Sequence, residues 1–173
     1  MIAGGVAFRA ACLASIVLTP AAIGSAAAPL PAVPRYADLP QPLPLPYVAR
    51  DAEPALAAAR ARAMQSGKRL LIDVGANWCF NCRLLGGLMR APRVAAFLNA
   101  HFEVVTVDIG HFDRNMAVLG RLGFTGRRLF VPAVVVIDPR AHRIVNRGDE
   151  MRLADTAAIA PSDVLATLAR WSR

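Results

Sequence analysis

Residues 70–83, LLIDVGANWCFNCR, predict the element around which the rest of the chain folds. Their first half is a short apolar run of the kind that a central strand shows, and Gly75 with Asn77 indicates its end. Two cysteines, Cys79 and Cys82, follow directly. The two thiols are therefore expected at the point where a strand passes into a helix.

An apolar stripe after the cysteines predicts an amphipathic helix whose first turn begins near Cys79; the stripe consists of Leu84, Leu85, Leu88 and Met89. Residues three apart on a helical turn are neighbours, so the sulfurs of Cys79 and Cys82 can form a bridge. Cys79 is also expected at the positive end of the helix, where unpaired backbone N–H groups point at it. Both features favour a thiolate at Cys79.

Together these features resemble the thioredoxin superfamily. The resemblance rests on the Trp78-Cys79-Phe80-Asn81-Cys82 motif, on Asp73 six residues before the first cysteine, and on Val131-Pro132 at the start of a later apolar run. It covers roughly residues 50–173 and extends to secreted or periplasmic thioredoxin-like proteins and to the C-terminal thioredoxin domain of membrane thiol-electron transporters. It implies an α/β fold, with a central mixed sheet and helices on both faces.

Cys79 is the predicted nucleophile, because a helix N-terminus can lower a cysteine pKa from ~8.5 into a range of about 3.5 to 7.5. Cys82, deeper in the turn, is predicted to attack the mixed disulfide and to release the reduced substrate. The alternatives are a permanent structural disulfide and a zinc site. We expect no metal, since His101, His111 and His142 show no ligand spacing and there is no second C-x-x-C.

The resemblance implies that Asp73 is a buried carboxylate beneath the cysteines, which takes the proton from Cys82 when that thiol attacks. Burial in an apolar strand raises the pKa of a carboxyl group and brings it nearer to working pH. The alternative is an aspartate that turns outward at the end of the strand.

Three residues are expected to bind the substrate. Trp78 is predicted to be partly exposed beside Cys79 and to offer an apolar contact, with core packing as the alternative. The resemblance implies that Pro132 is a cis-proline facing the disulfide, which exposes the backbone of Val131 for pairing with a bound peptide. A proline at the first position of a strand is also ordinary.

Three arginines, Arg83, Arg127 and Arg128, could raise the local potential and stabilise the thiolate, or be solvated surface charges. The chain departs from ordinary thioredoxin at Phe80-Asn81, where a Gly-Pro pair would stand, so the direction of electron flow is open. The sequence GHFDRN, at residues 110–115, could be a docking loop for a partner or a plain surface loop.

Capping residues and hydrophobic periodicity predict the other helices and strands. A helix is predicted from an N-cap at Asp51 to a stop at Gly67, and the order of the later elements is βαβαββα. Inside the cysteine helix, Gly86 and Gly87 each cost about 1 kcal/mol relative to alanine, which suggests the close approach of another element.

Length and composition predict one domain with appendages. The chain has 173 residues, of which 55% are hydrophobic and 18% charged, and this excludes general disorder. The net charge is +8, but the basic residues are dispersed, with no run of five. We therefore expect no nucleic-acid partner.

The N-terminus predicts export. Residues 1–27 have the order of a secretory signal: Arg9, then an apolar segment, then small residues up to a cleavage site after Ala27. An uncleaved membrane anchor is the alternative. Residues 28–50 are rich in proline and are predicted to run extended as a linker to a thioredoxin-like domain at 51–173.

The sequence thus predicts a monomeric thiol–disulfide oxidoreductase, periplasmic or otherwise exported. It would reduce protein disulfides with electrons from a membrane donor and would need no cofactor beyond the Cys79–Cys82 disulfide. Removal of the signal leaves these two cysteines alone in the mature chain, as suits a redox couple. The alternatives are an oxidant of the same fold and, in another class, a binding module or metal-handling protein.

Overall fold

The computed structural model describes Met1, residues 29–124 and residues 129–173. The predicted signal, apart from Met1, lies outside the described residues, as do Arg127 and Arg128. Within the part of the chain that the structure describes, no helix is both long and apolar enough to cross a membrane.

The centre of the fold is a four-stranded mixed sheet with the strand order β2-β1-β3-β4. Its strands are β1 (Arg69–Gly75), β2 (Phe102–Asp108), β3 (Ala133–Asp138) and β4 (Arg143–Ile144). β1 pairs with β2 in parallel and with β3 in antiparallel, and β4 pairs with β3 as the predicted hairpin. The strand that leads to the cysteines is therefore an inner strand, as its apolar run predicts.

In the part of the chain that the structure describes, five α-helices surround the sheet: α1 (Glu53–Ser66), α2 (Phe80–Arg90), α3 (Pro92–His101), α4 (Met116–Leu119) and α5 (Pro161–Trp171). The Asp51 carboxylate accepts a hydrogen bond from the backbone N–H of Glu53 at the start of α1. Gly67 ends that helix in the left-handed conformation, with φ +71°. A side chain is strained there, so the glycine terminates the helix as its position predicts.

Alternate residues of β1 enter two separate cores, because successive side chains of a strand point to opposite faces. Leu71 lies in a core with residues of α2, α3 and α5. Leu70, Ile72 and Val74 lie in the other core, with residues of α1 and α4. Helices thus cover both faces of the sheet, which confirms the predicted α/β fold class.

The proline-rich segment contains no strand, as its composition predicts, but it does not run free as a linker. Leu39, Leu43 and Tyr47 are buried. The Tyr36 hydroxyl donates to the carbonyl oxygens of Thr156 and Ile159, each at 2.9 Å. Leu39, Leu43 and Tyr47 thus bury apolar surface against the rest of the chain, so residues 36–47 are a packed part of the domain.

The close approach predicted at the two glycines of α2 is this same segment. A Cβ at Gly86 would lie 2.9 Å from Pro46, and one at Gly87 would lie 3.3 Å from Leu39 and from Leu43. The Arg83 guanidinium also ties the segment to α2, since it donates to the carbonyl oxygens of Leu43 and Pro44. Arg83 is thus not a free surface charge. The hydrogen bonds of its guanidinium go to the proline-rich segment and not to the cysteines.

Candidate active site

The two cysteines sit where the sequence places them, at the start of α2. A disulfide joins them, and their Cα atoms are 5.2 Å apart. Cys79 is the N-cap of the helix, and its Sγ accepts a hydrogen bond from the Cys82 backbone N–H at 3.1 Å. Cys79 is 8% exposed, whereas Cys82 is fully buried. An attacking or incoming sulfur therefore meets Cys79 first.

The surroundings of Cys79 favour the ionised thiol once the disulfide is reduced. The first turn of α2 contains no acidic residue. The N–H group that contacts Sγ is one of the unpaired donors of the helix start, where negative charge is stabilised. A thiolate at Cys79 would thus gain a hydrogen bond and a favourable helix dipole without an opposing carboxylate in that turn.

Asp73 lies near the middle of β1, and it is 1% exposed. It shares the parity of Leu71 and so points to the face that α2 covers. Burial raises the pKa of Asp73 to about 7, while a hydrogen bond from Tyr47 acts in the opposite direction. Asp73 is therefore buried as predicted, the alternative of an outward turn does not occur, and the carboxyl group can exchange a proton near neutral pH.

Gly75 brings Tyr47 and Cys82 together above the end of β1. A Cβ at Gly75 would lie 2.5 Å from the Tyr47 hydroxyl oxygen and 2.8 Å from the Cys82 Sγ. The same hydroxyl donates to Asp73 Oδ1 at 2.9 Å. The absence of a side chain at Gly75 thus leaves room for the Cys82 sulfur beside the Tyr47 phenol, and the phenol in turn contacts the Asp73 carboxylate.

Trp78 is half-exposed beside the disulfide, at 50%. Its indole Nε1 donates to the Gly110 carbonyl oxygen at 2.6 Å. Its ring stacks on His111, with centroids 5.9 Å apart, and meets Phe112 at 5.8 Å in a tilted arrangement. The loop at residues 110–115 is therefore part of the site and supports Trp78 from one side.

The Val131–Pro132 peptide bond is cis, as the resemblance implies for this position. The Val131 carbonyl oxygen lies 3.5 Å from the Cys79 Sγ, and the Val131 side chain packs on a small cluster formed by Tyr47, Cys79 and Cys82. Val131 thus lies directly against the cysteine pair, and the cis bond joins it to Pro132.

A family model described as Thioredoxin-like matches residues 51–139. The chain belongs to the thioredoxin-like family. A crystal structure of a disulphide isomerase from Xylella fastidiosa Temecula1 is similar, with 31% identity and a TM-score of 0.66. The similarity covers 76% of this chain and 99% of that one. No curated protein matches the chain.

This thioredoxin-like site also contains residues that the sequence did not identify. Tyr47 comes from the proline-rich segment, 26 positions before its partner Asp73, and lies outside the family match. His111 and Phe112 approach Trp78 from a loop that follows β2. In the sequence, Tyr47 stands out only as a tyrosine at a proline-rich segment, and this position does not indicate where its ring packs.

Two exposed phenylalanines flank the site in sequence, namely Phe80 after Cys79 and Phe130 before Val131, and they are 60% and 54% exposed. With Trp78 and Phe112 they give the thioredoxin-like domain several exposed aromatic rings near its disulfide. Within residues 29–124 and 129–173, no group of three or more His, Cys, Asp or Glu side chains is arranged to hold a metal ion.

Proposed function

We propose that this protein is an exported thiol–disulfide oxidoreductase that reduces protein disulfides. The observation that carries the proposal is the unequal pair at the start of α2: Cys79 N-caps the helix and is the more exposed of the two, at 8%, whereas Cys82 is fully buried in one cluster with Tyr47. Such an arrangement suits one thiol to attack a substrate and the other to resolve the intermediate.

In the reducing direction, the Cys79 thiolate attacks one sulfur of the substrate disulfide. A bond forms between Cys79 and that sulfur, and the other substrate sulfur leaves as a thiolate and takes a proton. Cys82 then loses its proton to the Asp73 carboxylate and attacks the Cys79 sulfur. The Cys79–Cys82 disulfide forms, the second substrate sulfur leaves, and two electrons have passed from the protein to the substrate.

The substrate would bind on the aromatic rings around Cys79. Trp78 is held in place by Gly110 and His111, so it offers a fixed apolar surface. The Val131 carbonyl oxygen lies 3.5 Å from the Cys79 Sγ, and the backbone of an extended peptide would pair with Val131 there. An apolar segment around a protein disulfide fits such a surface, because aromatic rings bury large areas on contact.

The reducing direction, export and a membrane electron donor belong to the proposal. Export is supported by the signal-like order of residues 1–27, and a redox role by the two cysteines that remain once the signal is removed. The reducing direction and the membrane donor rest on the resemblance to the C-terminal thioredoxin domain of membrane thiol-electron transporters. Isomerisation of protein disulfides is a second candidate, favoured by the similarity to the Xylella fastidiosa protein. It starts with the same attack by Cys79 and would restore activity to a scrambled protein without net electron transfer.

The test is the reduction of insulin disulfides by the full-length protein, with dithiothreitol as electron source. We expect turnover above the uncatalysed rate for the wild type and its loss in Cys79→Ser. Cys12→Ser is the matched control, because Cys12 is the remaining cysteine of the chain and lies in the predicted signal. This variant should retain activity. Turnover in Cys79→Ser, or none in the wild type, would contradict the proposal.

A further inference from the structure

Tyr47 is held rigidly at the site by both its backbone and its side chain. Its backbone N–H donates to Asn77 Oδ1 at 3.1 Å, and its carbonyl oxygen accepts from Asn77 Nδ2 at 2.7 Å. Asn77 belongs to the turn between β1 and α2, two residues before Cys79. The chain thus fixes Tyr47 to the same turn that carries the nucleophile.

The Tyr47 side chain ends against the groups that react. The ring is 3% exposed and packs in one cluster with Cys79 and Cys82. Its hydroxyl donates to Asp73 Oδ1 at 2.9 Å. Burial, and next the neighbouring Asp73 carboxylate, raise the pKa of Tyr47 well above the usual value for a phenol. The hydroxyl therefore keeps its proton and acts as a hydrogen-bond donor at neutral pH.

We propose that Tyr47 is a positioning residue, which holds the Asp73 carboxylate in the ionised form and in the orientation that accepts the Cys82 proton. This inference rests on the proposed function. A donor at Oδ1 stabilises the carboxylate against the burial that surrounds it and fixes the plane of the carboxyl group. The other oxygen is then the acceptor for the thiol proton.

Tyr47 acts only in the resolving step. Cys82 passes its proton to Asp73, its sulfur bonds to Cys79, and the bond between Cys79 and the substrate sulfur breaks. The departing thiolate takes up a proton, and Asp73 returns to its ionised form by release of its own proton. Tyr47 neither gains nor loses a proton in these steps. It affects the rate through the fraction of Asp73 that is ionised and can accept the Cys82 proton.

Among the described residues, Tyr47 of the proline-rich segment bonds directly to Asp73, and the uncharged Val134 pairs with it from β3. Cys82 of α2 lies in one cluster with Tyr47. A cleft of about 490 Å³ reaches Asp73 along the edge of β2 and is also lined by Arg50, Arg62 and Arg90. At the end of β2, Asp108 is paired with Arg114. The cleft is a route by which the proton can leave.

The first test compares Tyr47→Phe with the matched control Tyr36→Phe in the full-length protein. Tyr36 lies in the same segment, but its hydroxyl bonds to Thr156 and Ile159, away from the cysteines. The rate of mixed-disulfide resolution is measured by stopped flow from pH 5 to pH 9. A hydrogen bond of ordinary net strength corresponds to roughly three- to tenfold in an equilibrium constant.

We therefore expect resolution by Tyr47→Phe to be about three- to tenfold slower at pH 6, with rates that converge by pH 9. The acid limb of the pH profile of Tyr47→Phe shifts to higher pH, whereas that of Tyr36→Phe does not. In an Asp73→Asn background, Tyr47→Phe should add no further pH-dependent change. A profile identical to wild type, or a loss by the same factor at every pH, would overturn the inference.

A second measurement needs no variant. In the wild-type protein, the carbon signal of the Asp73 carboxyl group and the ring signals of Tyr47 should titrate together by NMR; Tyr47 signals that ignore the Asp73 titration would also overturn the inference. The outcomes separate the two proposals. If the wild type resolves mixed disulfides and Tyr47→Phe does so at the same rate, only the role of Tyr47 is refuted. If the wild type is inactive, the proposed function is refuted.

Discussion

Replacement of Asp73 by asparagine should make the protein more stable at neutral and alkaline pH. Asp73 is completely buried in the sheet, and burial raises its pKa to about 7. The folded state therefore opposes ionisation of this group. Asparagine has nearly the same shape and can still accept the hydrogen bond from Tyr47, so Asp73→Asn removes the charge with little change in packing.

The size of the effect follows from the pKa. The ordinary value for this group is 3.8, and the folded value is about 7. At about 1.36 kcal/mol per pH unit, this gap corresponds to about 4 kcal/mol of unfolding free energy. Domains of this kind are stable by only about 5–15 kcal/mol, so the effect is a large part of the total.

The sign follows from the proton count. Between pH 3.8 and pH 7 the folded state binds the Asp73 proton and the unfolded state has released it. The free energy of unfolding contributed by this group therefore falls as pH rises through this window, and it is constant above it. Wild type and Asp73→Asn should differ by a fixed amount at low pH, and the difference should grow by about 4 kcal/mol in favour of the variant by pH 8.

The assay is urea denaturation of the oxidised proteins at several pH values from 4 to 9, with the slope of each curve checked for constancy. Asp38→Asn is the control with the opposite sign, because the Arg35 guanidinium holds the pKa of Asp38 below its usual range. A stability difference between wild type and Asp73→Asn that does not change with pH would refute the assignment of a raised pKa to Asp73.

Two further variants test the site and its support. Cys82→Ser should accumulate a mixed disulfide between Cys79 and a protein substrate, visible by non-reducing electrophoresis, because the resolving thiol is absent; no trapped species would contradict the assignment of the two thiols. Gly86→Ala should lower the free energy of unfolding by about 1–3 kcal/mol, although alanine favours a helix, because the new methyl group would meet Pro46 at 2.9 Å. A rise in the urea midpoint would show that the proline-rich segment does not pack there.

The parts of the fold that depend on local pattern could be predicted from the sequence. The apolar run before Gly75 and the stripe after Cys79 identified β1 and α2, and the pair Gly86-Gly87 indicated a close approach. The nature of the approaching element could not be predicted. Proline content shows that a segment is extended, but not which surface its leucines cover, and those contacts span about 40 residues.

The residues of the site also divide into those that a local motif identifies and those that only tertiary packing brings there. The motif identified the cysteines and Asp73, because their spacing sets the geometry of a strand followed by a helix. Tyr47 and His111 reach the site from separate segments, and their places depend on tertiary packing that no local pattern encodes. The loop at residues 110–115, predicted as either a docking loop or a plain surface loop, packs against Trp78.

The central claim, that Cys79 and Cys82 donate electrons to protein disulfides, is tested most directly by their reduction potential. The full-length protein is equilibrated with defined ratios of reduced and oxidised thiols, and the fraction of disulfide is measured. We expect a value near the roughly −270 mV of thioredoxin. A value near the roughly −120 mV of a strong oxidant such as DsbA would mean that the pair forms disulfides, and would contradict the reducing direction.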